Sequence, residues 1–215
     1  MMIKNIAWVG PGLLLALLAL SAAETPDLSK TLKGVENRYN HIQTLQVKFT
    51  ESTTSHGRTR KDSGTLYLRK KGKMRWEYAS GMLFVSDGKF LYSYYPDERR
   101  YEKLSMKETD DMRAPLAFLL GDVDFDRDFG EYRSKPQDGG LRITALPKSD
   151  KYPYSEVTFL VAADATIRGL DVKLQTGDLI AFTFEGEKKN PLLTEALFQF
   201  APPKDAMVED LTQNR

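Results

Sequence analysis

The hydrophobic residues of this chain change their spacing once, near residue 43. Before that point they recur at steps of four and three positions, which is typical of one face of an amphipathic helix; they are Leu28, Leu32, Val35, Tyr39 and Ile42. The step then becomes two, with Leu45, Val47 and Phe49 alternating with polar residues. Since side chains alternate between the two faces of a strand, the pattern predicts one helix followed directly by a β-strand.

Short strand-like segments continue to the end of the chain. They are separated by turn residues such as Lys71-Gly72, Asp87-Gly88 and Pro96-Asp97, and they cover residues 65–70, 73–78, 83–86, 90–95, 101–104, 141–146, 155–162, 166–174, 179–184 and 196–200. This makes about ten strands without βαβ alternation, which predicts an antiparallel meander. A sheet of that length is expected to curl or to close.

Three segments interrupt the strand pattern. Residues 115–121 are short and very apolar and end at a glycine, so they predict a short helical flap. Residues 188–193 form a second interruption, either a short helix or a loop, and residues 52–63 form a polar loop that contains His56.

The first 23 residues have the features of a cleavable signal peptide. Lys4 supplies a positive start, residues 13–20 form an apolar core, and Ser21-Ala22-Ala23 is a small-residue cleavage site. The alternative is an uncleaved membrane anchor, but residues 10–12 (Gly-Pro-Gly) interrupt the uncharged stretch and the core is short for a membrane span. We therefore expect export and a mature chain that starts at Glu24.

Composition excludes several classes of function. The full chain has 31 basic and 30 acidic residues, and Lys4 is the only charged residue among the first 23, so the mature chain is formally neutral. This balance lacks the basic excess that nucleic-acid binding needs. The absence of cysteine removes thiolate chemistry, cysteine-based metal sites and lipid attachment to an amino-terminal cysteine.

The chain offers little for catalysis. His41 and His56 are separated, and no zinc-protease, nucleophile-elbow or phosphate-loop motif occurs. The alternating carboxylates of residues 122–128 resemble the start of a calcium loop, but its sixth position is Arg127 and its twelfth is Arg133, where glycine and glutamate are needed. We predict a solvated loop there, no metal, no cofactor and no catalytic residue.

Aromatic and aliphatic side chains on strand faces are the most distinctive feature. Met74, Trp76 and Tyr78 share one face of a strand, and Tyr92 and Tyr94 share one face of a later strand. An ordinary packed core explains such residues in most β-proteins. Periodicity does not distinguish a filled interior from a hollow one.

Residues 64–78 (GTLYLRKKGKMRWEY), followed by 85–89 (VSDGK) and 91–94 (LYSY), resemble the outer-membrane lipoprotein carrier family, LolA. The opening helix, the flap at 115–121 and the closing residues 198–203 (FQFAPP) are also similar to that family. The resemblance covers nearly the whole mature chain, and the order and spacing of its elements carry it.

The resemblance implies a mainly β fold: an unclosed antiparallel β-barrel covered by an amino-terminal helix and a short helical lid, as a single domain over residues 24–215. It also implies a monomeric periplasmic carrier, not an enzyme. Such a carrier takes lipoprotein acyl chains from an inner-membrane ABC transporter and passes them to an outer-membrane receptor. The alternative is a periplasmic module of the same superfamily that senses lipid or lipoprotein.

The resemblance also implies specific site residues. The expected lining of the lipid cavity is Leu66, Leu68, Met74, Trp76, Tyr78, Tyr92, Phe118, Leu119, Phe159 and Phe182. The expected lid comprises Pro115, Leu116, Phe118, Leu119 and Leu120.

Lys70 is the expected lid latch, although the family has Arg-Pro where this chain has Lys70-Lys71. The family's arginine donates hydrogen bonds to lid carbonyls, and a lysine can donate without the planar fork. Alternation places Lys70 on the face of Leu66 and Leu68, from which its ammonium can reach carbonyls near Leu119 and Leu120. The alternative is a solvated lysine in the basic cluster 69–73.

We predict that the exported protein begins at Glu24. Intact-mass measurement of protein recovered from the periplasm tests this directly. A product that retains residues 1–20 would contradict cleavage and would favour an anchored protein.

Overall fold

A computed structural model describes residues 27–106 and 123–212 of the chain. The segment 1–26, the predicted flap at 115–121 and residues 213–215 lie outside this part. Within the described residues, twelve strands form one sheet in the order β12-β6-β5-β4-β3-β2-β1-β11-β10-β9-β8-β7.

The elements follow one another along the chain with short connections. They are α1 (Leu28–Asn40), β1 (Thr44–Ser55), β2 (Arg58–Arg69), β3 (Lys73–Tyr78), β4 (Leu83–Asp87), β5 (Phe90–Tyr95), β6 (Arg100–Ser105), α2 (Phe125–Asp128), β7 (Phe129–Gln137), β8 (Gly140–Pro147), β9 (Tyr154–Ala162), β10 (Ile167–Leu174), β11 (Leu179–Lys189) and β12 (Met207–Asp210). Two 3-10 helices, Pro96–Glu98 and Glu195–Phe198, lie in the connections.

The sheet is antiparallel except at one edge, where β12 pairs in parallel with β6. β7 and β12 are the two ends of the strand order and do not pair with each other, so the barrel is unclosed. The face of the sheet that carries Leu45, Val47 and Phe49, called the inner face here, packs into one core that reaches from Trp76 on β3 to the strands of the opposite half. A sheet whose distant strands share one core is strongly curled.

The β1–β2 hairpin is longer than the sequence pattern predicts. The polar loop expected at residues 52–63 is wrong, because the ladder continues to Ser55 and Arg58 and leaves only His56 and Gly57 in the turn. Both turn residues have positive φ (49° and 73°), as a type I′ hairpin turn requires. Both faces of this part of the hairpin carry polar side chains, so hydrophobic alternation could not predict these strand residues.

Four other expectations also need correction. β7 and β12 are additional strands, and residues 125–128 form the short helix α2, with Asp124 as its amino-terminal cap. The strand expected at 196–200 does not form: Glu195–Phe198 is a 3-10 helix, and residues 196–200 cross the outer face of the sheet without joining the ladder. The interruption expected at 188 begins later, since β11 runs to Lys189.

Helix α1 lies on the inner face and is fixed there by polar contacts at its last turns. Val35 and Tyr39 are buried, and the Arg38 guanidinium and the Tyr39 hydroxyl donate to the Glu187 carboxylate at 2.6 and 2.8 Å. The Tyr39 oxygen also accepts the Ile167 N–H. Burial, and then the Glu187 charge, raise the pKa of Tyr39 above its ordinary value.

Glu187 reaches the inner face because of an irregularity in β11. Gln46 pairs with Lys188, whereas Lys48 pairs with Glu185, so β11 carries one extra residue at this point. Gly186 has a φ of 64° in this stretch, as is common at a β-bulge.

The carboxyl-terminal segment crosses the outer face of β2 to β6. Arg69 donates to the Leu193 carbonyl and pairs with Glu195, and the Phe198 side chain is only 1% exposed. Further along, the Phe200 ring stacks on Tyr92 at 5.1 Å between centroids. This segment therefore gives the outer face a small apolar cover.

We predict that Glu187→Gln lowers the free energy of unfolding by about 2 kcal/mol, because the Arg38 ion pair is mostly buried and loses its charge assistance. Urea denaturation measures the change. Glu185→Gln is the matched control, since it makes the same substitution at an exposed position of the same strand. Equal effects at both positions would contradict a specific role for Glu187.

Candidate functional site

An aromatic cluster occupies the inner face where β1, β3, β4 and β11 approach one another. The Phe49 ring lies 4.9 Å from both Trp76 and Tyr78, in edge-to-face geometry. Trp76 lies 5.6 Å from Phe182, and Tyr78 lies 5.6 Å from Phe84. Edge-to-face pairs at these distances are favourable arrangements of aromatic rings.

Strand register explains why these rings meet. Leu66 pairs with Trp76, Leu68 pairs with Met74, and Gly64 pairs with Tyr78, so the inner-face residues of β2 and β3 alternate in step. A Cβ at Gly64 would lie 2.0 Å from the Glu77 carbonyl oxygen and 2.8 Å from the Phe49 ring. A residue with no side chain is therefore required beside the ring.

Six of the residues expected to line the cavity share this part of the core. Leu66, Leu68, Trp76 and Phe182 are buried, and Met74 and Tyr78 pack against them as half-buried side chains. Phe159 is also on the inner face but lies in the other half, where it contacts Phe125 at 5.4 Å and Phe129 at 5.9 Å. That half, next to α1 and α2, is a packed core.

Tyr92 must be removed from the expected lining. Tyr92 pairs with Val85, which in turn pairs with Arg75. Arg75 precedes Trp76 in β3, so this row of side chains lies on the outer face, whereas Trp76 lies on the inner face. Its ring stacks on Phe200. Alternation within β5 shows which of its residues share a face, but not whether that face is the inner or the outer one. The sequence pattern therefore assigned Tyr92 to the wrong face.

Two members of the cluster, Phe49 and Phe84, were not among the expected site residues. Phe49 was detectable, because alternation already placed it with Leu45 and Val47. Phe84 was not detectable, because its face depends on its pairing with Trp76 across the β3–β4 turn.

A carboxylate borders the aromatic cluster. The Tyr78 hydroxyl donates to Glu51 at 2.6 Å, and the Thr53 hydroxyl donates to the other oxygen of the same carboxylate at 3.0 Å. Burial, and then the Glu51 charge, raise the pKa of Tyr78 above its ordinary value. The phenol therefore stays protonated at neutral pH and orients Glu51 along the wall.

Lys70 follows Leu66 and Leu68 and lies at the end of β2. Its ammonium donates to the backbone carbonyl of Asn40, the last residue of α1. The side-chain amide of Asn40 exchanges two hydrogen bonds with the backbone of Val123, at 2.7 and 2.8 Å. The lid residues Pro115, Leu116, Phe118, Leu119 and Leu120 lie outside the described part of the chain, so the latch stays a prediction.

The polar chemistry elsewhere is sparse. His41 bonds the Asn37 carbonyl at the end of α1, and His56 bonds Ser55 at the hairpin turn. Among residues 27–106 and 123–212, no group of three or more metal-ligating side chains occurs. No helix in those two ranges has the length and apolar character needed to span a membrane.

A small groove on the outer face has a volume of about 130 Å³ and is bordered by Arg142, Asp171 and Arg168. Ligand pockets are usually about 300–1,000 Å³, so this groove is small for a lipid. The inner-face cluster is the better candidate.

Comparison with known proteins agrees with this geometry. Residues 40–201 match the family described as outer membrane lipoprotein carrier protein LolA. An outer-membrane lipoprotein carrier protein of Legionella pneumophila (strain Corby) is 30% identical over 177 residues, which cover 79% of this chain and 85% of that protein. Another from Sodalis glossinidius (strain morsitans) is 24% identical and covers 94% and 98%.

Among solved structures, an uncharacterized conserved protein from Thermus thermophilus aligns with a TM-score of 0.50 at 13% identity, covering 85% of this chain and 98% of that one. A LolA superfamily protein from Nitrosomonas europaea aligns at 0.42, with 12% identity and coverage of 80% and 97%. The sequence match, which spans most of the described residues and includes the aromatic cluster, decides the assignment. The chain belongs to the outer-membrane lipoprotein carrier family LolA, a family of non-enzymatic carrier proteins.

Proposed function

We propose that this protein carries lipoproteins by holding their acyl chains against the inner-face aromatic cluster. The observation that carries the proposal is the concentration of Phe49, Trp76, Phe84 and Phe182 on the inner face of an unclosed sheet. Because the barrel is open at its edges, an acyl chain can reach these rings without crossing the sheet. Family membership supports the same function.

The proposed route runs through the periplasm. The carrier receives lipoproteins from an inner-membrane ABC transporter, and it delivers them to an outer-membrane receptor. Support comes from the signal-peptide features of residues 1–23 and from relatives named outer-membrane lipoprotein carrier proteins.

Release of the acyl chains requires a free-energy term that opposes their binding. Each buried CH₂ contributes about 0.8 kcal/mol, so several acyl chains in a fully open cavity would bind too tightly to transfer. We propose that residues 115–120 cover the empty cavity and that Lys70 helps to stabilise that state, so that loading costs free energy which is recovered on release.

We predict that a fluorescent fatty acid or similar apolar probe quenches or shifts the emission of Trp76, the only tryptophan in the described residues. Trp76 is 5% exposed and lies within the cluster, so a ligand bound there must touch it or its ring neighbours. Fluorescence titration of the folded protein measures the effect.

The matched control is a Trp76→Phe, Tyr94→Trp double variant, which moves the reporter to the outer face of β5, two strands away. Its emission is expected to stay unchanged at saturating probe. An unchanged wild-type spectrum, or equal changes in both proteins, would remove Trp76 from the site.

We also predict that Lys70→Leu folds and loads cargo but releases it poorly. A charge-assisted hydrogen bond contributes roughly 1.5–3 kcal/mol, enough to change the ratio of loaded to empty carrier about tenfold or more. The measurement is transfer of a lipoprotein to membranes that carry the receptor.

Lys48→Leu is the appropriate control for this experiment, because Lys48 is an exposed lysine of the neighbouring strand. Arg69 is unsuitable, since it holds the carboxyl-terminal segment through Leu193 and Glu195. Normal transfer by Lys70→Leu, or an equal defect in Lys48→Leu, would show that Lys70 is not a latch.

A further inference from the structure

One rim of the sheet combines unpaired positive charge with a fully exposed leucine. The rim is formed by the end of β11, the β2–β3 turn and the β4–β5 turn, which antiparallel pairing brings to the same end of the sheet. Its basic residues are Arg69, Lys70, Lys71, Lys73, Lys89, Lys188 and Lys189, against the carboxylates of Asp87 and Glu195.

The carboxylates of this rim already have partners. Glu195 lies between Arg69 and Lys73, at 2.7 and 2.6 Å, and Asp87 accepts the backbone N–H groups of residues 89 and 90. Four exposed lysines make no ion pair with any residue of 27–106 or 123–212; they are Lys71, Lys89, Lys188 and Lys189. Counted over the described residues, the rim therefore carries seven basic side chains and two carboxylates.

Leu192 is held at the centre of this rim. Its side chain is 100% exposed, although both neighbouring residues are fixed: the Pro191 carbonyl accepts the Thr44 hydroxyl at 2.7 Å, and the Leu193 carbonyl accepts Arg69. Thr44 and Arg69 are themselves a pair in the β1–β2 ladder. The backbone thus presents Leu192 between the lysines of β11 and those of the β2–β3 turn.

The opposite rim differs in character. There the exposed cations Arg58, Arg60 and Lys61 share the β1–β2 hairpin with Asp62, and Asp178 lies in the adjacent β10–β11 turn. Of the large hydrophobic side chains that the structure describes, Leu192 is the most exposed, at 100%, whereas Leu179 at the opposite rim is 40% exposed.

We propose that the Leu192 rim docks on the surface of an anionic phospholipid bilayer. The lysines face the negative headgroups, and Leu192 enters the boundary between headgroups and acyl chains, which is the usual combination in peripheral membrane binding. Charge complementarity selects this occupant. The contact is separate from the inner-face cluster, so it does not depend on acyl-chain carriage.

The test is co-sedimentation of the protein with vesicles of phosphatidylcholine alone or of phosphatidylcholine with phosphatidylglycerol. The protein is expected to bind the anionic vesicles and to lose binding as salt rises. Lysine near such a surface contributes about fivefold in affinity, so Lys188→Gln, Lys189→Gln is expected to bind roughly 25-fold more weakly. Leu192→Ser is expected to weaken binding about tenfold.

Arg58→Gln, Arg60→Gln is the matched control, because it removes the same charge from exposed positions of the opposite rim. It is expected to bind within about twofold of the wild type, if location and not total charge matters. All proteins share the same amino terminus, so any contribution from it is common to every comparison.

A Leu192→Trp variant in a Trp76→Phe background reports insertion, with a blue shift expected only on anionic vesicles. Equal losses in both glutamine pairs, or a Leu192→Trp spectrum that anionic vesicles leave unchanged, would overturn the proposal. Failure of the wild type to prefer anionic vesicles would also overturn it and would favour an acidic protein surface as the occupant of the rim.

Discussion

A long curled sheet has an inner face that must be covered, and a single helix is too short to cover all of it. Helix α1 spans 13 residues, whereas the inner face extends across twelve strands in the described part of the chain. The helix is fixed to one half of that face by Glu187, through Arg38 and Tyr39. The half of the interior that α1 covers is a packed core, and the half that α1 does not cover contains the aromatic cluster.

Part of the outer face is covered by the carboxyl-terminal segment, which has little regular secondary structure. Segments without secondary structure rarely cover a sheet, because their backbone groups need partners. Here the side chains of the sheet provide them: Arg69 and Arg75 donate to the carbonyls of Leu193 and Leu197. The strand order thus keeps its hydrogen bonds, while Phe198 and Phe200 gain apolar contact with the outer face.

Local patterning predicted much of this architecture, and each of its failures has a physical reason. The opening helix, the meander and most inner-face residues of β1 to β3 follow from periodicity, since each strand reports its own alternation. Tyr92 was assigned to the wrong face, because the phase between β3 and β5 is set by two turns and not by the strands. The polar end of the β1–β2 hairpin was missed for lack of apolar residues, and the contacts of Lys70 depend on where α1 ends.

The bulge that accommodates the extra residue of β11 determines whether an acidic or a basic side chain faces α1. Because side chains alternate, a one-residue change of register exchanges the two faces of a strand. If β11 paired with β1 without the bulge, Glu187 would lie opposite Gln46 and point outward, and Lys188 would point inward toward Arg38. Two cations would then meet under α1 in place of an ion pair. The bulge therefore sets the sign of the charge that faces Arg38, although it adds no charged residue to the chain.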